Sequence, residues 1–357
     1  MRTISPSLTI LAQSADSSLT IKNPNPLRTG PWNLTDLESV QKIGRTVLST
    51  FSCGGGSTMG YKLAGYDVIG CVEIDPEMMS VYKANHNPKY PYLMGVGDFN
   101  KIPNIELPPE FMELDILDGS PPCSSFSKAG SREKKWGKNT HFREGQAKQV
   151  LDDLFFDFVA TAKKLQPKVV VAENVKGLIQ GNAKGYVKQI FQGFRDAGYS
   201  CQLFLLNASR MGVPQRRERT FFVGNRLGKK LELCFDEPGI SLKTRGAGRE
   251  LTGVKRDRWL KIRPGQGLGE IGGFNSQKKI HKNGPTFTLT ATLRHWHHTE
   301  PREISDLEIK ELSSFPDDYR AKDVGYLCGM SVPPFMMQRV ATAISEQLLN
   351  VDQAIKQ

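Results

Sequence analysis

The sequence predicts an α/β fold: a mixed, mostly parallel sheet with helices on both faces, accompanied by a smaller second domain. From residue 46 onward, short apolar runs bounded by Gly or Asp alternate with helical patterns, as expected of strands joined by crossover helices. The chain has 357 residues, 38% hydrophobic and 24% charged, which is enough to bury a sizeable core. Between residues 228 and 284 the periodicity fades while glycine and charge increase, which indicates the smaller domain.

Seven apolar runs are predicted to form the strands. In chain order they are TVLSTFS (46–52), YDVIGCVEID (66–75), YLMGVGDF (92–99), FMELDILDGS (111–120), PKVVVAENV (167–175), SCQLFLLNA (200–208) and RTFFVGN (219–225). Short apolar runs of this kind, alternating with helical patterns, are typical of the strands of a largely parallel sheet. The third run is expected to carry its strand as far as Asp98.

Helical spacing appears in three further places. Apolar residues from Leu151 to Leu165 recur at intervals of three and four, which predicts a helix with one wide apolar face against the sheet. The same period returns in EISDLEIKELSSF (303–315) and PPFMMQRVATAISEQLL (333–349). These two segments therefore belong to a packed helical region near the C-terminal end of the sequence.

The distribution of charge points to a polyanionic partner. Residues 226–299 hold 15 Lys and Arg against 6 Asp and Glu, a surplus of 9, while the whole chain carries +11. In this segment basic residues are interleaved with glycines and Trp259, a composition suited to phosphates and groove edges. A solvated basic loop is the alternative interpretation.

Other classes of protein are disfavoured. No apolar run approaches the roughly 20 residues of a membrane span, so we expect no membrane attachment and a cytoplasmic location. The six cysteines are scattered and form no CxxC pair, so neither a zinc site nor a disulfide framework is indicated and no metal is expected.

A glycine-rich turn, TFSCGGGSTMG (50–60), follows the first predicted strand. Successive glycines let the backbone approach a ligand at a strand end, where open α/β sheets place their binding crevice. Glu73, about 20 residues later, is at the separation from which an acid can accept hydrogen bonds from ribose hydroxyls. Asp98 is a candidate acceptor for an adenine amino group. A flexible turn and two helix-capping acids are the alternatives.

The stretch DGSPPCSSFS (118–127) places Cys123 behind two prolines. A helix that begins at Ser124 would direct its positive N-terminal end at the sulfur and favour the nucleophilic thiolate. A buried structural thiol is the alternative for any single cysteine.

Two further stretches carry polar groups to strand ends. AENVKG (172–177) ends an apolar strand with Glu173 and Asn174, and an acid placed there can exchange a proton with a ring nitrogen. QRRERTFFVG (215–224) begins another strand, and alternation places Arg217 and Arg219 on one face. Two guanidinium groups there suit a phosphate or a base carbonyl, and a surface ion-pair cluster is the alternative.

Together, the motifs resemble those of the DNA cytosine-C5 methyltransferases of bacterial and phage restriction-modification type. In order they are FSCGGGSTMG, EID, GDF, GSPPCSSFS, ENVKG, QRRERTFFVG, PTFTLTA, REISDLE with FPDDY, and GMSVPP, within residues 45–227 and 285–349. The order is far more specific than any single motif.

The resemblance implies a Rossmann-like S-adenosylmethionine-dependent methyltransferase fold. It predicts an N-terminal extension (1–45), a large catalytic and cofactor-binding domain (46–227), a small target-recognition domain (228–300) and a C-terminal segment returning to the large domain (301–357). The cofactor is S-adenosyl-L-methionine and the substrate double-stranded DNA, with the target cytosine flipped out of the helix. We expect a monomer that forms no stable complex with a cognate restriction endonuclease.

Residue roles also follow from the resemblance. Cys123 would attack C6 of cytosine, Glu173 would contact N3 and the exocyclic amine, and Asn174 would brace the site. Arg217 and Arg219 would hold the base carbonyl, the local phosphate and the catalytic loop. The predicted cofactor-binding residues are Phe51, Ser52, Gly54, Gly55, Gly56, Glu73, Ile74, Asp98, Phe99, Pro122, Leu154 and Ser331.

Two positions depart from the family pattern, and two other functions stay open. Cys53 stands where the family usually has glycine, and Met330 where it usually has asparagine.

The basic segment 128–148 would suit a lid that closes on DNA. The alternatives are an RNA (tRNA) cytosine-C5 methyltransferase with the same chemistry, and a catalytically silent DNA-binding regulator of the same fold.

Overall fold

The computed structural model describes residues 22–122, 139–140, 149–150, 153–180, 184–266, 277–292 and 294–349. Cys123 and Leu151 lie outside the described residues, as does most of the segment 128–148.

A seven-stranded sheet forms the centre of the protein. The described residues contain eleven strands, of which seven form this sheet, while β5 pairs with β6 and β9 with β11. The strands are β1 Thr46–Thr50, β2 Asp67–Glu73, β3 Tyr90–Leu93, β4 Ile116–Gly119, β5 Asn139–Thr140, β6 Gln149–Val150, β7 Val169–Val175, β8 Ser200–Asn207, β9 Gln215–Arg216, β10 Glu218–Asn225 and β11 Thr286–Phe287. The order in the seven-stranded sheet is β3-β2-β1-β4-β7-β10-β8, and β10 alone runs in the direction opposite to the other six strands. The predicted mixed, mostly parallel sheet is confirmed.

Nine helices accompany the strands in the described part of the chain. They are α1 Gly56–Leu63, α2 Pro76–His86, α3 Val96–Phe99, α4 Leu154–Leu165, α5 Lys184–Asp196, α6 Gly253–Lys261, α7 Asp306–Leu312, α8 Val324–Met330 and α9 Pro334–Ile344, the last continuing into a π-helical turn, Ser345–Leu349. No helix among the described residues is long and apolar enough to cross a membrane.

Alternation of side chains along the strands creates two apolar cores, one on each face of the sheet. Val47 and Ile116 point into a core shared with α1 and α9, whereas their neighbours Leu48 and Leu117 point into a core shared with α4 and α5. All four side chains are fully buried. Helices therefore cover both faces, as expected.

The third predicted strand is corrected by the structure. β3 ends at Leu93, and the chain then makes a helical turn, α3, so Asp98 does not end a strand. The carbonyl of Gly95 accepts hydrogen bonds from the backbone N–H groups of Asp98 and Phe99 (3.1 and 3.0 Å). Val96 and Phe99, three residues apart, are both buried. The apolar period in this run is therefore three residues, not two.

The regions outside the central sheet are held to it by specific contacts. Trp32 is buried, and its indole N–H donates to the carbonyl of Ser314 (3.0 Å), so the described part of the N-terminal extension packs on the sheet region. β9 pairs with β11 in parallel, which joins the chain entering β10 to the chain leaving the basic region. Within that region α6 buries Trp259 against Leu251 and Trp296 in a small separate core. The domain boundaries themselves stay predictions.

Candidate active site

An open cleft lies at the carboxyl ends of β1, β2 and β4, where the order of the strands reverses on either side of β1. Such reversal points are where open α/β sheets bind ligands. The space in the cleft, including the part that is open to solvent, is about 730 Å³. Its lining residues in the described part of the chain are Ser49, Phe51, Ser52, Cys53, Gly56, Ser57, Glu73, Ile74, Asp75, Met78, Asp118, Ser120, Pro122, Tyr326, Met330, Ser331 and Val332.

The glycine-rich turn at the end of β1 is tightly constrained. A Cβ atom at Gly55 would lie 2.1 Å from Nε2 of His86, and one at Gly56 would lie 2.4 Å from the carbonyl oxygen of Val332. Gly55 also has a φ of +96°, which side-chain-bearing residues rarely adopt. Packing requires glycine at both positions, and backbone conformation requires it at Gly55 as well.

Cys53 adopts the conformation that explains the glycine usual at its position in the family. Its φ is +47°, in the left-handed region, where a residue with a Cβ carries strain of about 1 kcal/mol or more. Burial raises the pKa of its thiol to about 12, so Cys53 stays a neutral thiol. It therefore contributes a wall of the cleft and no nucleophile.

Glu73, at the end of β2, holds this turn through hydrogen bonds to backbone N–H groups. One carboxylate oxygen accepts the backbone N–H of Cys53 (2.7 Å) and the other accepts that of Asp75 (2.8 Å). Burial raises the pKa of Glu73 to about 7. Each carboxylate oxygen has a second lone pair, so the group can still accept hydrogen bonds from two ligand hydroxyls.

Two serine side chains test whether the cleft fits an adenosyl cofactor. The hydroxyls of Ser57 and Ser331 are buried and line the cleft. They lie beside Asp118 and Cys53, respectively, but neither has a well-aligned hydrogen-bond partner within the described residues. Buried hydroxyls normally have partners, so these two fit a polar ligand. Apolar lining from Phe51 and Ile74 suits the face of a purine. The residues present therefore fit such a cofactor.

Seven of the twelve predicted cofactor-binding residues line the cleft: Phe51, Ser52, Gly56, Glu73, Ile74, Pro122 and Ser331. Gly54 and Gly55 lie in the glycine-rich turn behind it. Asp98 is at the surface, where its carboxylate pairs with Lys101 (2.7 Å). Phe99 and Leu154 are buried side chains that do not belong to the lining set.

Several lining residues were not predicted from the sequence. Asp118 comes from β4, and Tyr326 and Val332 come from the C-terminal segment. The available signal for Asp118 was one carboxylate inside an otherwise apolar strand, ILDG. Met330, at the end of α8, also lines the cleft, with 41% of its surface exposed.

Glu173 and Arg219 form an ion pair beside this cleft. Nε of Arg219 lies 2.9 Å from a carboxylate oxygen of Glu173, and both side chains are largely buried. β7 and β10 are antiparallel with Phe221 opposite Glu173, so Arg219 lies diagonally across from the acid. The pairing of these strands therefore brings together two of the predicted catalytic residues.

Asn174 links β7 to the turn that precedes Cys123 in the sequence. Its side-chain amide donates to the carbonyl of Pro121 (2.9 Å), and its amide oxygen accepts the backbone N–H of Val175 (2.8 Å). The side chain is buried. Asn174 thus holds the proline turn against the strand that carries Glu173.

Arg217 is directed inward. Its guanidinium group donates to the carbonyls of Leu289, Gly329 and Ser331 (3.2, 2.7 and 2.9 Å), and only 1% of the residue is exposed. These carbonyls belong to the chain that returns from the basic region and to the wall of the cleft. In the structure Arg217 therefore positions backbone segments, and the role predicted for it toward the base carbonyl, the local phosphate and the catalytic loop stays a prediction.

The family comparison matches this arrangement. Residues 45–244 match the model of the C-5 cytosine-specific DNA methylase family, which is more than half of the chain. The chain belongs to the C-5 cytosine-specific DNA methylase family. The match includes the glycine-rich turn, the proline turn before Cys123, and the strands that bear Glu173 and Arg219.

Two relatives of this methylase are type II methyltransferases by name. The type II methyltransferase M.NgoPII of Neisseria gonorrhoeae is 35% identical over 192 residues, which are 54% of this chain and 50% of that protein. The type II methyltransferase M1.HphI of Haemophilus parahaemolyticus is 27% identical over 342 residues, which are 85% of this chain and 88% of that protein. The match to M.NgoPII thus spans half of that relative's length.

Solved structures share the fold. Spodoptera frugiperda DNMT2 has a TM-score of 0.60 and 18% identity, over 85% of this methylase and 100% of that chain. S. pombe Dnmt2 methyltransferase has a TM-score of 0.58 and 15% identity, over 87% of this methylase and 99% of that chain. At these identities the likeness concerns the fold alone.

Proposed function

We propose that this methylase is a site-specific DNA cytosine-C5 methyltransferase that transfers the methyl group of S-adenosylmethionine to a flipped-out cytosine. The observation that carries the proposal is the placement of Glu173, paired with Arg219, beside a cleft that fits an adenosyl cofactor. Pro122, the residue before Cys123, lines the same cleft. An acid, a cation and the approach to a cysteine therefore converge at one edge of the sheet.

Each group has a defined task in this chemistry. The thiolate of Cys123 adds to C6 of cytosine while Glu173 hydrogen-bonds N3, which gives an enamine whose C5 is nucleophilic. When bound in the cleft, S-adenosylmethionine would supply the methyl group that C5 receives, with the neutral thioether as the leaving group. Loss of the C5 proton then expels the Cys123 thiolate and restores the aromatic ring. Arg219 orients the carboxylate of Glu173, and Asn174 positions the proline turn.

Different residues of the cleft would contact different parts of the cofactor. Glu73 retains lone pairs for the two ribose hydroxyls, and the buried hydroxyls of Ser57 and Ser331 supply further polar contacts. Phe51 and Ile74 supply apolar contact for the base. We propose duplex DNA as substrate, a monomeric enzyme, and a restriction-modification or phage context without a stable complex with an endonuclease.

Bisulfite sequencing of host DNA after expression of the protein tests this function. We expect protected cytosines at one short recurring sequence, because the covalent mechanism modifies C5 of a single cytosine within a recognised site. DNA from cells with an empty vector is the control. A purified enzyme that methylates tRNA and leaves duplex DNA unmodified would support the RNA alternative instead, and absence of transfer to either with intact DNA binding would support the regulator.

We further propose that residues 228–299 select the DNA sequence. Between β10 and β11 the described chain carries α6, whose basic side chains are exposed while Trp259 anchors the helix. Lys279 contributes to this anchor, since its ammonium lies 3.7 Å from the Trp259 ring centroid. This small core is separate from the two cores that pack on the central sheet, and the helix that it anchors exposes its basic side chains.

Exchange of this segment for that of a relative with a different target is expected to transfer the target sequence. The affinity for DNA should also fall as the salt concentration rises. Each neutralised phosphate should contribute about 0.9 to the magnitude of the slope of log affinity against log salt concentration. Bisulfite sequencing after expression of the chimaera reads out the target. An active chimaera that still modifies the original site would place recognition elsewhere in the chain.

A further inference from the structure

The charged side chains in the described lining of the cofactor cleft are all acidic. Its described lining contains three carboxylates, Glu73, Asp75 and Asp118, and neither lysine nor arginine. Glu73 receives two backbone N–H groups, and Asp75 caps α2 by accepting from the backbone N–H groups of Glu77 and Met78. These two acids have local structural tasks. Asp118 differs from them.

Asp118 is held only by neutral hydroxyls among the described residues. Its carboxylate accepts from Oγ of Ser49 (3.1 Å) and from the phenol of Tyr61 (3.3 Å), and 2% of the residue is exposed. No ion pair joins it to any lysine or arginine in the described part of the chain. A buried carboxylate without a cation is costly unless a charged ligand completes its surroundings.

In the sheet, Asp118 lies between the proposed cofactor-binding residue Glu73 and the proposed cytosine-binding residue Glu173. Asp118 is opposite Ser49 on β1 and opposite Val171 on β7, and Glu173 follows two residues later on the same face of β7. Glu73 ends β2, on the other side of β1. Asp118 therefore lies between the acid proposed to bind ribose and the acid proposed to bind cytosine.

The reacting sulfur of the cofactor has to lie in that interval, because it links the ribose to the methyl group that the base receives. This sulfur is a positively charged sulfonium in S-adenosylmethionine and a neutral thioether in S-adenosylhomocysteine. Both ligands carry the same ammonium and carboxylate, so they differ by one methyl group and one positive charge.

We propose that Asp118 is the counter-ion of the sulfonium and makes the cleft prefer the charged methyl donor over its neutral product; this inference rests on the proposed function. Burial raises the pKa of Asp118 to about 7, with the charge of Glu173 adding to the shift, and a bound cation would favour its ionised form. The hydroxyl of Ser57 lies beside Asp118 and also lines the cleft. It is buried without a well-aligned hydrogen-bond partner among the described residues, which is a second sign that this part of the cleft accepts a polar ligand.

Calorimetric titration of S-adenosylmethionine and S-adenosylhomocysteine into wild-type protein and D118N, at about pH 8 where the free carboxyl is largely ionised, tests the inference. For D118N we expect the affinity for S-adenosylmethionine to fall about tenfold or more, and that for S-adenosylhomocysteine to change less than about threefold. Tyr61→Phe is the matched control: it removes a hydrogen bond to Asp118 but keeps the charge, so the ratio of the two affinities should stay at the wild-type value.

Three results would overturn the counter-ion role. They are an unchanged affinity of D118N for S-adenosylmethionine, an equal loss for both ligands, or a change of the ratio in Y61F as large as in D118N. D118S supplies the same measurement if D118N does not fold. A wild-type protein that binds neither ligand would instead contradict the proposed function itself, so the two failures are distinguishable.

Discussion

Cys123→Ser is expected to abolish methyl transfer while binding of duplex DNA is retained. A serine hydroxyl is far less acidic than a thiol, so it cannot supply the anion that adds to C6. Transfer of labelled methyl groups to duplex DNA measures the first effect, and a gel-shift titration measures the second. The loss should exceed three orders of magnitude, about the scale seen when a nucleophile is removed from an enzyme.

A covalent trap separates the nucleophile from a merely structural cysteine. Duplex DNA with 5-fluorocytosine at the target has no C5 proton to lose, so the wild-type enzyme with cofactor should remain bound to it through denaturing electrophoresis. The serine variant should not. Transfer activity of C123S within about tenfold of wild type would contradict the covalent mechanism.

Glu173→Gln is expected to reduce methyl transfer by about two orders of magnitude or more, within the range of general acid-base catalysis. Glutamine keeps the shape of the side chain but cannot exchange a proton with N3 of cytosine. The substitution also removes the carboxylate that pairs with the buried Arg219, so some loss of thermal stability will accompany it. Single-turnover rates below the melting temperature of the variant measure the catalytic part.

Glu218→Gln is a matched control for this experiment. Glu218 is on the strand next to Glu173 and also forms an ion pair, with Lys176 at 2.8 Å, but its side chain is 42% exposed. We expect E218Q to lose little stability and little activity, because exposed pairs contribute at most about 1 kcal/mol. If E173Q lost activity only to the extent that its folded fraction fell, Glu173 would have a structural role.

The strands could be predicted because each buried strand carries a signal within its own few residues. The run predicted at 167–175 forms β7 at Val169–Val175, and that predicted at 200–208 forms β8 at Ser200–Asn207. The signal failed at residues 92–99, where a four-residue helical turn and a strand have nearly the same apolar content. The local signal that favours the helical turn here is the three-residue spacing of the buried residues Val96 and Phe99.

Pairing between distant segments could not be predicted in the same way. Arg219 lies on β10 and meets Glu173, whereas Arg217 lies in the break between β9 and β10 and is turned toward backbone carbonyls. The sequence predicted one strand with both arginines on one face, but side-chain alternation holds only within a continuous strand and does not specify what lies opposite each residue. That difference depends on where β7 and the residues around Gly329 pack against β10.

The sequence by itself determined the sheet, the order of the motifs and the family, because these depend on short-range periodicity and on residue types at fixed spacing. Only the tertiary structure decided which side chains share the cleft. Asp118 meets Ser49, 69 residues away, and Ser331 closes a wall opposite a turn at residues 53–56. Such contacts arise when strands pair and helices pack across large separations in the chain, and no local pattern records them.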